Sequence, residues 1–335
     1  MKHFVLTFAN VGYGEAMLIE LYDPSNERGV FSVLFDGGGA DLETFSDRAA
    51  GRAPFLEHLR STGTDHIDAV IISHIHEDHV SGLLPVVKAF PPKTVYQTLP
   101  EEFWKEEMSP LRPEAGETVS LRKFTQSLND FREICEITVL SGGTVRQVSA
   151  GETLSFPDGL TARALAPDNE KAEALRSRLS DLYRTARDGV PDQKLLQKLD
   201  AFMNNVSLML RFDYGKTRVL LPGDTNKAGF AGIDPGELRA DLYKVGHHGQ
   251  IDGADQALLD TVRPKAVVCC ASGDRLYNSA HPDLLRMIRD GGAEIWYSDC
   301  PPNPVGNPVP RHGLLRISID DSRGLEAEYL MPEKA

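Results

Sequence analysis

The sequence of 335 residues is short of several things, and each shortage removes a class of protein. It has four cysteines, Cys135, Cys269, Cys270 and Cys300, with no CxxC spacing among them. A disulfide framework and thiol redox chemistry therefore have no support. Cys269 and Cys270, neighbours in the apolar run AVVCCAS, are expected as small buried residues with reduced thiols. No apolar run approaches the roughly 18 residues that a membrane-spanning helix needs. The opening MKHFVLTFAN turns polar too soon for a secretory signal, so the expectation is a cytoplasmic protein with no membrane partner. Positive charge is scarce as well: 36 Lys plus Arg against 49 Asp plus Glu leave a net charge of −13. Such a chain opposes non-specific binding to polyanions. Nucleic acid stays possible as a substrate, because bound divalent cations can reverse the sign of the field inside a site.

What is present describes a folded α/β chain. An apolar fraction of 41% with 25% charged residues supports a packed core. The length fits two domains or one large α/β domain with insertions. Short β-rich runs open the sequence: HFVLTFA, AMLIELY and, after the turn-rich DPSNERG, VFSVLF. A helix near PFLEHLRS precedes the apolar strand 69–72, which runs into the loop SHIHEDHVSG and the helix LLPVVKAF. The stretch 98–133 has no clean period and reads as loop and helix, and a second β-rich half is expected from ITVL at residue 137 onward. Residues 170–200 carry helix formers interrupted by Gly189-Val190-Pro191, which predicts two helices joined by a turn. Their seven basic and six acidic residues suit a solvated helix face. Then follow the hairpin VSLMLRFD/TRVLLPGD, the strand DLYKV, a helix near ADQALLDTV, the strand KAVVCCAS, the helix PDLLRMIRD, the strand EIWYS and two terminal strands, LLRISI and LEAEYL. Two sheets with helices outside them are the natural packing.

The chemistry concentrates in His74-Ile75-His76-Glu77-Asp78-His79, three imidazoles and two carboxylates at the end of an apolar strand. His74 and His76, two apart, can turn toward one ion, and Asp78 with His79 toward a second; such donors suit Zn, Mn or Fe. Other polar residues end strands in the same way. Asp224 follows RVLLPG, His247 and His248 follow DLYKVG, and Asp36 ends VFSVLF ahead of three glycines, where it could orient a ligating histidine. Lys244, in the strand before the histidine pair, reads as a surface residue.

Taken jointly these residues resemble the metallo-β-lactamase superfamily, whose HxHxDH signature stands here as His74, His76, Asp78 and His79, with Asp224 and then His247 or His248 in the family's order. The resemblance is nearest to the soluble domain of ComEC-type DNA-uptake proteins, through NVGYGEAMLI, LFDGGG, NNVSLMLRFDYGKTRVLLPGD, KVGHHG and Ala280-His281-Pro282, and it covers about Phe4 to Ile319 apart from the segments near 98–133 and 168–203.

The resemblance implies one four-layer αββα metallo-β-lactamase-like domain over 1–335, with 168–203 as a helical insertion near the active site. It implies two divalent ions, Zn or Mn, and a metal-activated water. One ion would sit on His74, His76 and Asn205, the last at the place of the family's usual third histidine; the other on Asp78, His79 and His247; Asp224 would bridge them. Which histidine of 247 and 248 binds stays open. Asp78, Asp224 and His281 are the expected catalytic residues, His281 as a phosphate donor or acid. Phosphodiesters, nucleic acid or smaller phosphoesters, are the expected substrates. A lactone or thioester hydrolase with the same centre, and a non-catalytic metal-binding module, are the alternatives.

Overall fold

The computed structural model describes residues 3–23, 28–273, 278–301, 304–320 and 324–331. The turn expected within DPSNERG falls at 24–27, outside the described residues.

The β-rich runs at the two ends of the chain meet in one sheet. It contains β1 (His3–Ala9), β2 (Ala16–Asp23), β3 (Arg28–Gly37), β4 (Ala69–Ile71), β5 (Thr94–Gln97) and β6 (Thr144–Gln147). The second sheet contains β7 (Thr153–Ser155), β8 (Thr161–Ala166), β9 (Met209–Tyr214), β10 (Thr217–Leu221), β11 (Leu242–Lys244), β12 (Ala266–Cys269) and β13 (Glu294–Tyr297), while β14 (Leu314–Asp320) and β15 (Gly324–Leu330) return to the first. The spatial orders are β15-β14-β1-β2-β3-β4-β5-β6 and β13-β12-β11-β10-β9-β8-β7. Within each sheet one half is antiparallel, and the other half, β3 to β6 in the first and β10 to β13 in the second, is parallel. β15 forms one outer edge, with Glu326 and Glu328 exposed.

Alternation decides which side chain meets which layer. Phe4, Leu6 and Phe8 of β1, Ala69 and Ile71 of β4, and Val219 and Leu221 of β10 join the core between the sheets. Val70 and Ile72 point the other way, into the core under α1 (Phe55–Ser61), α2 (Glu77–Val80), α3 (Leu83–Ala89) and α4 (Val119–Leu140). That core also takes Leu175, Leu179 and Leu182 of α5 (Asn169–Thr185) and Leu196, Leu199 and Met203 of α6 (Gln193–Met203). Leu220, Tyr243 and Val267 face α7 (Pro235–Leu238), α8 (Gln256–Val262) and α9 (Pro282–Asp290) on the far side of the second sheet. The layers are thus helix, sheet, sheet, helix.

One expected element differs. Residues Ile137–Leu140, read as the start of a β-rich half, are the last turn of α4. Their β-branched side chains favour strand, yet Leu121, Phe124, Leu128, Phe131, Ile134 and Thr138 continue one buried helical stripe, and packing of that stripe overrides local preference. The following run, TVRQVSAGETLSF, divides between β6 and β7 in different sheets. The helices start on side-chain caps where the sequence has Thr or Asp: Thr118, Asp168, Asp192 and Asp255 each accept from a first-turn N–H. Among the described residues no helix is long and apolar enough to cross a membrane.

Candidate metal centre

The parallel strands of both sheets deliver their C-terminal ends to one region, which is where open α/β sheets place ligands. Asp36 ends β3, the His74–His79 run follows β4, Asp224 follows β10 and His248 follows β11. The loop after β4 turns into α2, so Asp78 and His79 lie on its first turn. Gly82 locks this turn against the β3 loop: a Cβ there would lie 2.0 Å from the Gly37 carbonyl oxygen.

Asp78, His79, Asp224 and His248 each offer a ligand atom, all within 4.8 Å of one another. His248 Nε2 is 3.0 Å from Asp78 Oδ2 and 2.9 Å from Asp224 Oδ2. His79 Nε2 is 3.3 Å from the same Asp224 oxygen and 3.3 Å from His248 Nε2. The outer ring nitrogens settle the tautomers. His79 Nδ1 donates to Asp36 Oδ2 at 2.8 Å, and His248 Nδ1 donates to the Cys270 carbonyl at 2.7 Å. Both Nε2 lone pairs therefore face inward, toward two carboxylate oxygens. Four acceptors facing one another repel unless a cation or protons stand between them, and this donor set, imidazole with carboxylate, fits a divalent transition metal. Asp36 is held by the Ser73 N–H at 2.8 Å and the Ser73 hydroxyl at 2.6 Å, so it is fixed before it orients His79.

The electrostatics agree with the geometry. Burial opposes charge on His79, but the carboxylates of Asp224, Asp78 and Asp36 outweigh it and hold the imidazole well above its ordinary range. His248 is likewise pushed up to about 9, against burial, by Asp224 and Asp78. Asp78 and Asp224 are held below the usual carboxylate range despite burial, Asp78 chiefly by His79 and His248, Asp224 by His248, His79 and Lys244. The carboxylates thus favour positive charge at this point, the charge a divalent ion carries.

His74 and His76 form an adjoining group. His74 Nε2 lies 3.0 Å from His76 Nδ1, and the His74 and His79 rings are 4.1 Å apart between centroids. His76 Nε2 faces α6, 3.2 Å from both the carboxylate and the carbonyl of Asp200. Burial with two histidine neighbours holds His74 well below its ordinary value, as a neutral ligand would be.

His247 goes elsewhere, although the reading above placed it with Asp78 and His79. Its Nδ1 pairs with Asp252 at 2.9 Å and its Nε2 with Asn204 and Gln250 at 3.1 Å each. Two successive left-handed residues, His247 at φ 49° and His248 at φ 52°, reverse the backbone and send His248 inward. For residues other than glycine that conformation costs about 1 kcal/mol or more each. Among the described residues no hydrogen bond joins Asn205 to His74 or His76, and its buried carboxamide oxygen has no hydrogen-bond partner and lies toward Gly229. His281 caps α9, Nδ1 accepting from the Asp283 N–H at 3.2 Å, and its main-chain N–H donates to Gly249 O at 2.8 Å, beside the His248 turn.

Two residues escaped the sequence reading. Lys244, expected at the surface, is fully buried and pairs with Glu15, also fully buried, in the loop between β1 and β2. Period two would have found Lys244: Leu242 faces the inter-sheet core and Tyr243 the helices, so Lys244 points inward with Leu242. A cavity of about 650 Å³ lined by Arg211, Lys216, Arg218, Arg239, Arg263 and Lys265 lies at the opposite, N-terminal ends of β10 and β11, away from this chemistry.

Residues 26–273 match the family model described as Metallo-beta-lactamase superfamily. ComE operon protein 3 of Bacillus subtilis (strain 168) is 23% identical over 300 residues, 87% of this chain and 31% of that protein. The chain thus spans about a third of the length of that relative. Among solved structures it is similar to Zn(2+)-bound PqqB from Methylobacterium extorquens, at TM-score 0.44 and 11% identity, covering 88% of this chain and 98% of that one. It is also similar to a diphosphatase from the PhnP family, at TM-score 0.41 and 13% identity, covering 94% and 98%.

Proposed function

Since the chain belongs to the metallo-β-lactamase superfamily, whose members are mostly metal-dependent hydrolases, we propose that it hydrolyses phosphodiesters with two divalent ions, Zn or Mn. The observation that carries this reading is the pair of adjoining donor groups at the C-terminal ends of the parallel strands: Asp78, His79, Asp224 and His248 in one, His74 and His76 in the other. Paired metal sites are the common device for in-line displacement at phosphorus, the ions supplying an acidified water and charge neutralisation when bound.

The chain's own groups do the holding and orienting. Asp36 and the Cys270 carbonyl fix the tautomers of His79 and His248, and Asp200 fixes the ring of His76. Asp224, a member of the first group whose charge also acts on His74, would be the carboxylate shared by the two ions. His281 accepts the Asp283 N–H at Nδ1, which leaves Nε2–H as a donor for a substrate oxygen.

The test is hydrolysis of bis(p-nitrophenyl) phosphate by metal-stripped protein with Mn, Zn or nothing restored, beside Asp78→Ala and Asp224→Ala. The expected result is metal-dependent turnover that falls at least ~10³-fold in either variant while both keep the native fold. Metal-loaded protein that leaves the diester intact but opens a lactone or thioester would replace the phosphodiester reading with the acyl one.

A further inference from the structure

Lys244 and Glu15 have no part in the hydrolysis outlined above, yet both are fully withdrawn from water. A buried ion pair is a poor source of stability, because desolvation offsets its attraction. The contacts suggest another use. The ammonium forms an ion pair with the Glu15 carboxylate and donates to the Gly223 carbonyl at 2.9 Å and to Asp224 Oδ1 at 3.3 Å. Asp224 is thereby divided. Oδ1 belongs to Lys244, while Oδ2 faces His248 and His79 at 2.9 and 3.3 Å. Glu15 is itself fixed by its main chain, its N–H donating to the Asp78 carbonyl at 3.0 Å and its carbonyl accepting from Gly38 N at 2.7 Å.

We propose that Lys244, buttressed by Glu15, is a positioning residue that occupies Oδ1 of Asp224 so that a single oxygen, Oδ2, is presented to the divalent ions. The inference rests on the two-ion reading of the site. A compact ammonium suits the task, since its three donors reach three separate acceptors from one point. The contact with Gly223 O fixes the backbone just before Asp224, at a turn where Gly223 has φ +55° and a Cβ would lie 2.8 Å from that of Ser73. Without Lys244 the carboxylate can rotate and close on one ion through both oxygens, which raises that ion's coordination number.

Cobalt(II) reports coordination number through its visible spectrum, so the test uses the full chain loaded with Co(II) alone. Metal analysis of the unaltered protein comes first: two Co(II) per chain are expected. Fewer than two would refute the two-ion reading, and the inference would fall with it. In Glu15→Gln/Lys244→Met, which removes both charges together, the visible absorbance per cobalt is expected to drop at least about twofold. Affinity measured by chelator competition is expected to weaken roughly tenfold or more. The melting temperature of the metal-free variant serves as the fold control. If the first double variant does not fold, Glu15→Met/Lys244→Met carries the same expectation, since apolar replacement of a buried pair is commonly tolerated. Two Co(II) per chain with an unchanged spectrum and unchanged affinity in the folded double variant would show the pair to be structural and overturn the proposal.

Discussion

Single nitrogen atoms determine much of what this site can do. His79 and His248 are defined by what their outer nitrogens touch, a carboxylate in one case and a carbonyl in the other. A third buried histidine shows the opposite outcome. His58 donates from Nε2 to the Asn10 carbonyl at 3.0 Å, its Nδ1 has no hydrogen-bond partner among the described residues, and burial depresses its pKa to about 4. The unfolded chain takes up this proton below its ordinary 6.5, whereas the native chain refuses it until about 4. Stability present above pH 6.5 is therefore lost as the pH falls toward 4, by about 2 kcal/mol between about pH 7 and 5. Urea unfolding at both pH values should show His58→Gln losing about that much less than the unaltered protein. At this scale the sequence was legible where donor types cluster, as in His74 to His79. It was opaque where the role depends on a partner far along the chain, as Glu15 does for Lys244.

At the scale of elements, α6 connects the helical layer to the metal groups. The helical pair α5 and α6 was readable from its helix formers and its Gly-Val-Pro break, but nothing in 170–200 announced that Asp200 would meet His76. That contact depends on α6 packing Leu196, Leu199 and Met203 into the core under the first sheet, and packing partners are not written in one segment. Asp200→Ala should leave the fold intact while lowering metal affinity by about 10- to 100-fold, as loss of a histidine-orienting carboxylate does. Competition with a chelator checks it. The misread end of α4 teaches the same point: β-branched residues at Ile137–Leu140 stayed helical because the stripe before them was already committed.

Across the whole molecule, the donors come from both sheets. Asp78 and His79 follow β4 of the first, Asp224 and His248 follow β10 and β11 of the second. An ion bound there would join the two sheets. Native-state binding raises stability by about 2.7 kcal/mol at a ligand concentration ~100 times its dissociation constant. Thermal melts of stripped protein should rise by several degrees when Mn or Zn is restored, and Asp224→Ala should abolish most of the rise. The layered α/β plan was legible from period and motif order, while the pairing of β1 with β14 across the length of the chain was not, because nothing local encodes it.

The outer edge of the first sheet carries a consequence for life in a crowded solution. Among the described residues no strand pairs beyond β15, and such an open border is the kind along which identical molecules can stack. Glu326 and Glu328 project from that border, and a second copy laid against it would bring carboxylates toward carboxylates. The same surplus of acid that opposes polyanions thus also opposes edge-to-edge pairing of copies.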